Sequence, residues 1–383
     1  MLKDATQRKV GLLLSISTAL VTLFVTPFSS LDPINVPKLW VLSALSFSIL
    51  GVLFFEIKSL TKREHLLSYI ASGTLVFSML LTLLITNAPK SQQFFGTFGR
   101  NTGLLTYLSF AILFIAAATA TNFSIKKPFL ISFAFAAGFN AIYGLLQAVG
   151  KDPQKWSNPY APVIGTLGNP NFVSAFLGMG IAPAMAYLVA SKTKITYRIL
   201  ALVFIAVALL DILKSDAQQG LIISLLSGVI VGYYWLKSYF DNVILRYTYL
   251  ALSVAGMLVG IAGTLQKGPL ASILYKPSVT YRGDYWHAGL VMIKENFLFG
   301  VGLDSYGDWY RNTRTLAATI RRGPATVSNA AHNVFIDIAG TAGIVALIGY
   351  LLLIFLGIRA ALRISQKMKK FDPFFVSIFA AWI

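Results

Sequence analysis

The sequence predicts an all-α fold: a polytopic bundle of transmembrane helices with one large extracytoplasmic loop. Three observations carry this. The 383 residues are 56% hydrophobic and 12% charged, with a mean hydropathy of +0.70, whereas soluble domains are about a quarter charged. Apolar runs of about twenty residues, the length a helix needs to cross a bilayer, recur along the chain. One long polar interval, from about Leu265 to Asn333, interrupts them.

Lipid offers a bare backbone no hydrogen bonds, so apolar runs cross it as helices. Spans are expected near 10–29, 38–56, 66–86, 103–121, 128–149, 171–190, 198–214, 219–236, 247–265 and 333–357. Lys3, Arg8 and Lys9 before the first run resemble a signal peptide, but the run is long and followed by many like it, so an uncleaved first helix is expected. An eleventh span begins near Pro373 and the chain stops at Ile383, so about eleven helices are expected, the last truncated. The expected organisation is a bundle over 1–265, an extracytoplasmic loop over 266–332 and C-terminal helices over 333–383.

Orientation follows from the Lys/Arg bias of short loops. One side carries Lys3, Arg8, Lys9, Lys58, Lys62, Arg63, Lys126, Lys127, Lys192, Lys194, Arg198, Lys237, Arg246, Arg359, Arg363, Lys367, Lys369 and Lys370. The other carries Lys38, Lys90, Arg100, Lys151, Lys155 and Lys214. Eighteen against six puts the N-terminus in the cytoplasm and the 266–332 loop outside. Long loops are exempt from the rule, so the basic residues of this one do not conflict with it. The net charge of +18 sits mostly between apolar segments, which points to anionic lipid headgroups rather than nucleic acid. With no cysteine, disulfides, thiolate metal sites and cysteine nucleophiles are excluded.

Two shorter outward loops carry information. One places Arg100 directly before a span. The other ends in Gly165-Thr166-Leu167-Gly168-Asn169-Pro170-Asn171. It reads as a tight turn with Asn171 as helix N-cap, or as a helix start whose free N–H groups face an anion.

In the large loop, Tyr281-Arg282-Gly283-Asp284-Tyr285-Trp286-His287 opens a helix to about Glu295. Tyr281, Tyr285, Trp286, Leu290, Ile293 and Phe297 fall on one side of it, a pattern suited to the headgroup level. Phe299-Gly300-Val301-Gly302 reads as a turn. Arg282, Arg311, Arg314, Arg321 and Arg322 are candidates for holding a pyrophosphate, whose oxygens a guanidinium can meet in bidentate fashion; each is equally readable as a solvated or headgroup-facing charge. Arg282 stands out by lying among aromatics at a helix start. His287 reads as an interfacial histidine. His332, at the edge of a span, is either a cap or hydrogen-bonder or a neutral imidazole available as a general base. The positive dipole end of the helix that starts there favours the neutral ring. Asp337 follows about 140° further round the helix, too far for a direct pair. Asp211 is expected to pair with Lys214. No Asp-x-Asp at an early outer boundary, no His-x-x-x-His and no phosphate-cradling glycine-lysine motif is present, so neither metal nor cofactor is expected.

Taken together, Gly99-Arg100-Asn101-Thr102-Gly103, Gly165 to Asn171, Arg282 with Trp286, Phe299-Gly300-Val301-Gly302 and Ala331-His332-Asn333 resemble the O-antigen ligase and polymerase superfamily of bacterial membrane glycosyltransferases. They cover roughly residues 95–345, in order. The resemblance implies a glycosyltransferase of the GT-C kind in the bacterial inner membrane. It would transfer a glycan from a polyprenyl-pyrophosphate carrier to a hydroxyl of a lipid or protein acceptor at the outer face, without a metal and with inversion. Carried over by motif, His332 deprotonates the acceptor and Arg282 binds the leaving pyrophosphate. Arg100, Gln219, Asn169, Asn171, Arg311, Arg314, Arg321, Arg322 and Asn333 fall where substrate would be held. Ligases usually carry a Ser-Arg-Gly element opening a mid-chain span. Here the stretch is Ser215-Asp216-Ala217-Gln218-Gln219-Gly220, and glutamine can hydrogen-bond a phosphate but brings no charge. A polymerase and a protein O-oligosaccharyltransferase of the same superfamily stay open. From a different class, so does a transporter or flippase for lipid-linked sugars, which would place charges near the bilayer midplane.

Overall fold

The computed structural model describes residues 4–26, 32–56, 65–120, 125–154, 156 and 163–383. Lys3, Lys58, Lys62, Arg63 and Lys155 of the charge count lie outside them. Every regular element among the described residues is helical. The first five are α1 (Asp4–Leu23), α2 (Asn35–Phe54), α3 (Leu66–Ile85), α4 (Lys90–Phe95) and α5 (Leu104–Thr119). Then come α6 (Lys126–Ala148), α7 (Pro170–Val189), α8 (Ile195–Lys214), α9 (Gln219–Tyr239) and α10 (Val243–Thr264). The polar interval holds α11 (Ala271–Leu274), α12 (Pro277–Glu295), α13 (Tyr306–Thr313) and α14 (Leu316–Arg322), and the chain ends in α15 (Val334–Lys367) and α16 (Pro373–Trp382).

Eight of these, α2, α3, α6 to α10 and α15, are long and apolar enough to cross a membrane. The expected all-helical, multi-span bundle is therefore what the chain forms. α5 and α16 are apolar but shorter. The expected loop is itself mostly helical, and its main helix begins at Pro277 rather than Tyr281. Proline at the first helical position has no N–H to leave unsatisfied and a φ already suited to a helix, which moves the start forward.

The described chain forms two compact units. One comprises Met1–Leu14, Leu39–Asn122 and Leu258–Arg359. Its apolar centre joins Leu75 and Met79 of α3, Leu104 of α5, Leu303, and Ile338, Ala342 and Ala346 of α15. A second cluster in the same unit, Tyr285, Ala288, Met292, Val301, Tyr306, Tyr310 and Ala331, gives the polar interval its own core. Tyr285 faces inward there while Trp286, Leu290 and Phe297 stay exposed, so the expected aromatic side of α12 divides between core and surface.

Phe299-Gly300-Val301-Gly302 is more than a turn. α15 breaks at Gly343, where φ is 83° and ψ 173°, and the Phe299 segment docks into the break. Ile344 N–H donates to the Phe297 carbonyl at 2.9 Å, Val301 N–H to Gly340 at 2.9 Å and Gly302 N–H to Thr341 at 3.0 Å. Thr82 Oγ1 of α3 donates to Phe299 O and Ala342 O at 3.0 and 3.1 Å. A helix break inside a bundle frees backbone groups that must find partners elsewhere, and here a second chain segment supplies them. Gly343 and Gly300 both have positive φ. A side chain at Gly343 would overlap the Leu298 carbonyl, and one at Gly300 would overlap Thr341. The segment that leads to α13 is thereby fixed against the helix that begins beside His332.

The other unit comprises Ser15–Lys38, Phe123–Met257 and Ala360–Ile383. α7 is its centre: Val173, Leu177 and Ile181 pack with Ala208 and Ile212 of α8, and Ala182 and Ala186 with Val231 and Tyr234 of α9 and Val376 of α16. Small residues let membrane helices approach closely, and Gly178 of α7 sits against the Gly220 backbone. Asp211 does not pair with Lys214. It is fully buried against Gly144, which has no side chain to exclude it, and neither of its oxygens has a hydrogen-bond partner among the described residues. Lys214 is exposed, because its long stem carries the ammonium away from the apolar interior.

Candidate functional site

The site is built around the start of α15. Asn333 caps that helix, its side chain accepting from Phe335 N–H at 3.0 Å and Ile336 N–H at 3.4 Å. One turn later Asp337 reaches back, and its Oδ1 accepts from Ala331 N–H at 2.8 Å. Between these two anchored residues His332 is held at φ 52°, a left-handed conformation that non-glycine residues adopt only where the surroundings impose it. Its ring lies beside Tyr285, with centroids 5.4 Å apart. The residue is exposed, and the imidazole makes no hydrogen bond among the described residues. It is not the cap, and Asp337 does not pair with it. Asp337 instead shapes the backbone that presents it.

Tyr285 is buried and fixed at both ends. Its carbonyl accepts from the Tyr306 hydroxyl at 2.5 Å, and its own hydroxyl accepts from Arg322. The Arg322 guanidinium lies over the Tyr281 ring, 4.3 Å from the centroid, and 5.6 Å from that of Tyr285. Cation–π contact of this kind holds an arginine without neutralising it.

The candidate arginines separate by what they bond. Arg321 Nη1 donates to both carboxylate oxygens of Asp284, at 2.6 Å each. Arg314 ties down the 323–326 turn, donating to Thr326 O and Pro324 O at 2.8 Å each and to Gly323 O at 3.5 Å. Arg311 makes one bond, 3.3 Å to Ala325 O. Arg100 lies 3.4 Å from Asp304 and donates to the Asn329 carbonyl. Arg282 differs from all of them: half-buried, it has no hydrogen bond or ion pair among the described residues.

The charges of Arg282, Arg100 and Arg322 converge on His332. Partial burial of the ring first, and then these three guanidiniums in that order, hold its pKa below the usual histidine value. Burial disfavours the charged imidazolium and nearby cations disfavour it further, so the ring is neutral at neutral pH. The helix dipole favours the same protonation state, yet the causes found here are burial and arginine. What the arrangement offers chemically is an accessible neutral base in a positive field, next to a guanidinium free to bind an anion.

Asp304, which no motif in the sequence marks, organises the Arg100 loop. Its Oδ2 accepts from Thr97 N–H at 2.7 Å and Thr102 N–H at 3.3 Å, and its carbonyl from Thr97 Oγ1 at 2.7 Å. It also sits at positive φ. The only signal in the sequence is its place directly after the Gly300-Val301-Gly302-Leu303 run.

The remaining candidates, Asn169, Asn171 and Gln219, belong to the other unit. The N-cap of α7 is Asn169, not Asn171: its side chain accepts from Asn171 N–H at 2.8 Å, with Pro170 at the first helical position. The N–H groups of Phe172 and Val173 also go to the Asn169 carbonyl, so these are the bonds of a capped turn. That turn rests on two residues the sequence does not single out. Gln147 Oε1 accepts from Ile164 and Gly165 N–H at 2.9 and 2.8 Å, and Asn140 Oδ1 from Thr166 N–H at 2.9 Å. Gln219 opens α9 and is half-buried. The adjoining Gly220 N–H donates to Ser174 Oγ at 3.0 Å.

Residues 173–351 match the family model described as O-antigen ligase. No curated protein and no solved structure matches the chain. The matched stretch holds Arg282, Arg322 and His332, and Arg100, Asn169 and Asn171 lie before it. Over residues 173–351 this membrane protein is similar to the O-antigen ligase family, a match that supports the O-antigen ligase and polymerase superfamily.

Proposed function

We propose that the protein is a metal-independent, inverting glycosyltransferase, moving a glycan from a polyprenyl-pyrophosphate carrier to an acceptor hydroxyl at the outer face of the bacterial inner membrane. The observation that carries this reading is the pairing of a base with no hydrogen-bond partner among the described residues, His332, and a guanidinium with none, Arg282, close enough for one to depress the other's pKa. His332 takes the proton of the acceptor hydroxyl as its oxygen attacks the anomeric carbon. The bond from that carbon to the pyrophosphate oxygen breaks on the opposite face, and both electrons leave with the pyrophosphate. Arg282 meets that departing charge, and the fields of Arg100 and Arg322 support it. A single displacement of this kind inverts the anomeric centre. A positioned base contributes about 10²–10⁴-fold in rate.

The basic loop count favours a cytoplasmic N-terminus, with His332 and Arg282 on the far side, where a flipped carrier presents its glycan. The glutamine at Gln219 favours no single branch among ligase, polymerase and protein oligosaccharyltransferase. The test uses purified protein in lipid nanodiscs with a polyprenyl-pyrophosphate glycan. His332→Ala is expected to abolish transfer without unfolding the protein, and EDTA is expected to leave wild-type transfer intact. Full transfer by His332→Ala removes the base assignment. Movement of the substrate across vesicles with no transfer by the wild type replaces the enzyme with a transporter.

A further inference from the structure

Beside the Arg100–Asp304 pair the same unit contains a cavity of about 390 Å³, lined by Thr97, Asp304, Asp308, Arg311, Val327 and Asn329 among others. That is the lower end of the range for small-ligand sites, ~300–1,000 Å³. Nothing in the transfer step described above uses it. Its walls come from the Arg100 loop, from α13 and from the segment that runs on to His332.

The polar groups at this cavity are only partly used by the protein. Asp308 Oδ2 accepts from Gln92 Nε2 at 2.7 Å, and its other oxygen has no donor among the described residues. Arg311 makes its single bond among the described residues to Ala325, which leaves most of its N–H groups without a partner among them. The Asn329 side-chain amide has no partner among the described residues, while its backbone carbonyl is held by Arg100. Open acceptor, open donor and an amide that does both form the array that hydroxyl groups, each donor and acceptor, can satisfy. An anion would meet Asp304 and Asp308. A hydrocarbon would strand every one of these groups. Val327 adds an apolar patch of the kind that a sugar's C–H face can cover.

We propose that this cavity is a subsite for a neutral saccharide ring, held by Asp308, Arg311 and Asn329 and adjoining the base. The proposal deepens the transferase reading and rests on it. Asn329 and His332 share one short segment, and Arg100 bonds both Asn329 and Asp304. A ring seated here therefore lies against the same scaffold that presents the imidazole. The ring comes either from the acceptor or from the donor glycan beyond its pyrophosphate.

The experiment titrates neutral mono- and disaccharides, with uronic acids and sugar phosphates as controls, against nanodisc-embedded protein by saturation-transfer NMR. At least one neutral saccharide is expected to bind the wild type and His332→Ala alike. Asp308→Ala is expected to weaken it about tenfold, the effect of losing one charge-assisted hydrogen bond. Because Asp308 also bonds Gln92, a second variant is needed. Val327→Trp, at an exposed position, fills the space without removing a polar contact, and it is expected to abolish binding. The proposal is overturned if no neutral saccharide binds the wild type, or if binding survives both substitutions. With the polyprenyl-pyrophosphate glycan present, a bound saccharide that is elongated marks the acceptor side, and one that only slows transfer marks the donor glycan. If His332→Ala transfers at the wild-type rate while saccharide binding still depends on Asp308 and Val327, the base assignment falls and the subsite stands.

Discussion

At the scale of single residues, His332 is set by three influences that can be varied separately: the backbone that aims it, the ring it packs on and the cations around it. Its pKa lies below the ordinary ~6.5, so the protonated form, which the proposed mechanism makes inactive, appears only in more acidic solution. The acid limb of the kcat/KM profile is expected below that value. Arg282→Gln removes the first of the three charges acting on the ring, and a histidine NMR titration is expected to move upward, toward the ordinary value. An unchanged titration would mean that Arg282 does not face His332. Asp337 acts through the backbone, by its bond to Ala331 N–H. Asp337→Ala is expected to lower kcat by about 10²-fold with donor KM little changed, as a small displacement of a catalytic group does. Asp337→Asn keeps an accepting oxygen and is expected to restore most of the rate. A merely structural aspartate would show parallel loss of kcat and thermal stability, with no rescue.

At the scale of elements, the break in α15 is the feature on which the site's rigidity depends. Gly343, Gly300 and the five hydrogen bonds of the docked segment join α3, the Phe299 segment and α15. Gly343→Ala forces a side chain into a left-handed backbone position against Leu298, and it is expected to destabilise the fold by at least ~2 kcal/mol. Thermal unfolding in nanodiscs measures this; an unchanged midpoint would show that the break can close into regular helix. Arg314 is a second element-level clamp, and its three carbonyl acceptors hold the 323–326 turn. Arg314→Gln is expected to raise hydrogen exchange over 323–326 and leave Arg282's neighbourhood protected as before. Equal deprotection of both would mean that the turn and the site open together.

At the scale of the whole molecule, the orientation of the chain in the membrane can be tested cleanly, because it has no cysteine of its own. Ile320→Cys, on the exposed surface of α14, is expected to react with a membrane-impermeant maleimide on intact spheroplasts. Lys192→Cys, in the connection after α7, is expected to react only after permeabilisation. The reverse pattern would put His332 in the cytoplasm, where a flipped carrier could not reach it.

Hydropathy and loop charge are enough to predict helices and their approximate bounds. Twenty apolar residues in lipid have one way to satisfy their backbone, and that constraint acts locally. His332 and Arg282 are legible as a pair only through the order of motifs that resemble a family, since about fifty residues separate them. What the amino acids could not disclose was which of six arginines are already used. Arg100, Arg321 and Arg322 find partners distant in sequence, Arg314 finds its own across the 323–326 turn, and partner choice is settled only when the chain is packed. The same reason hid Asp304 and the break at Gly343. Each owes its role to a backbone group contributed by another segment, and no pattern along one segment records what another will bring to it.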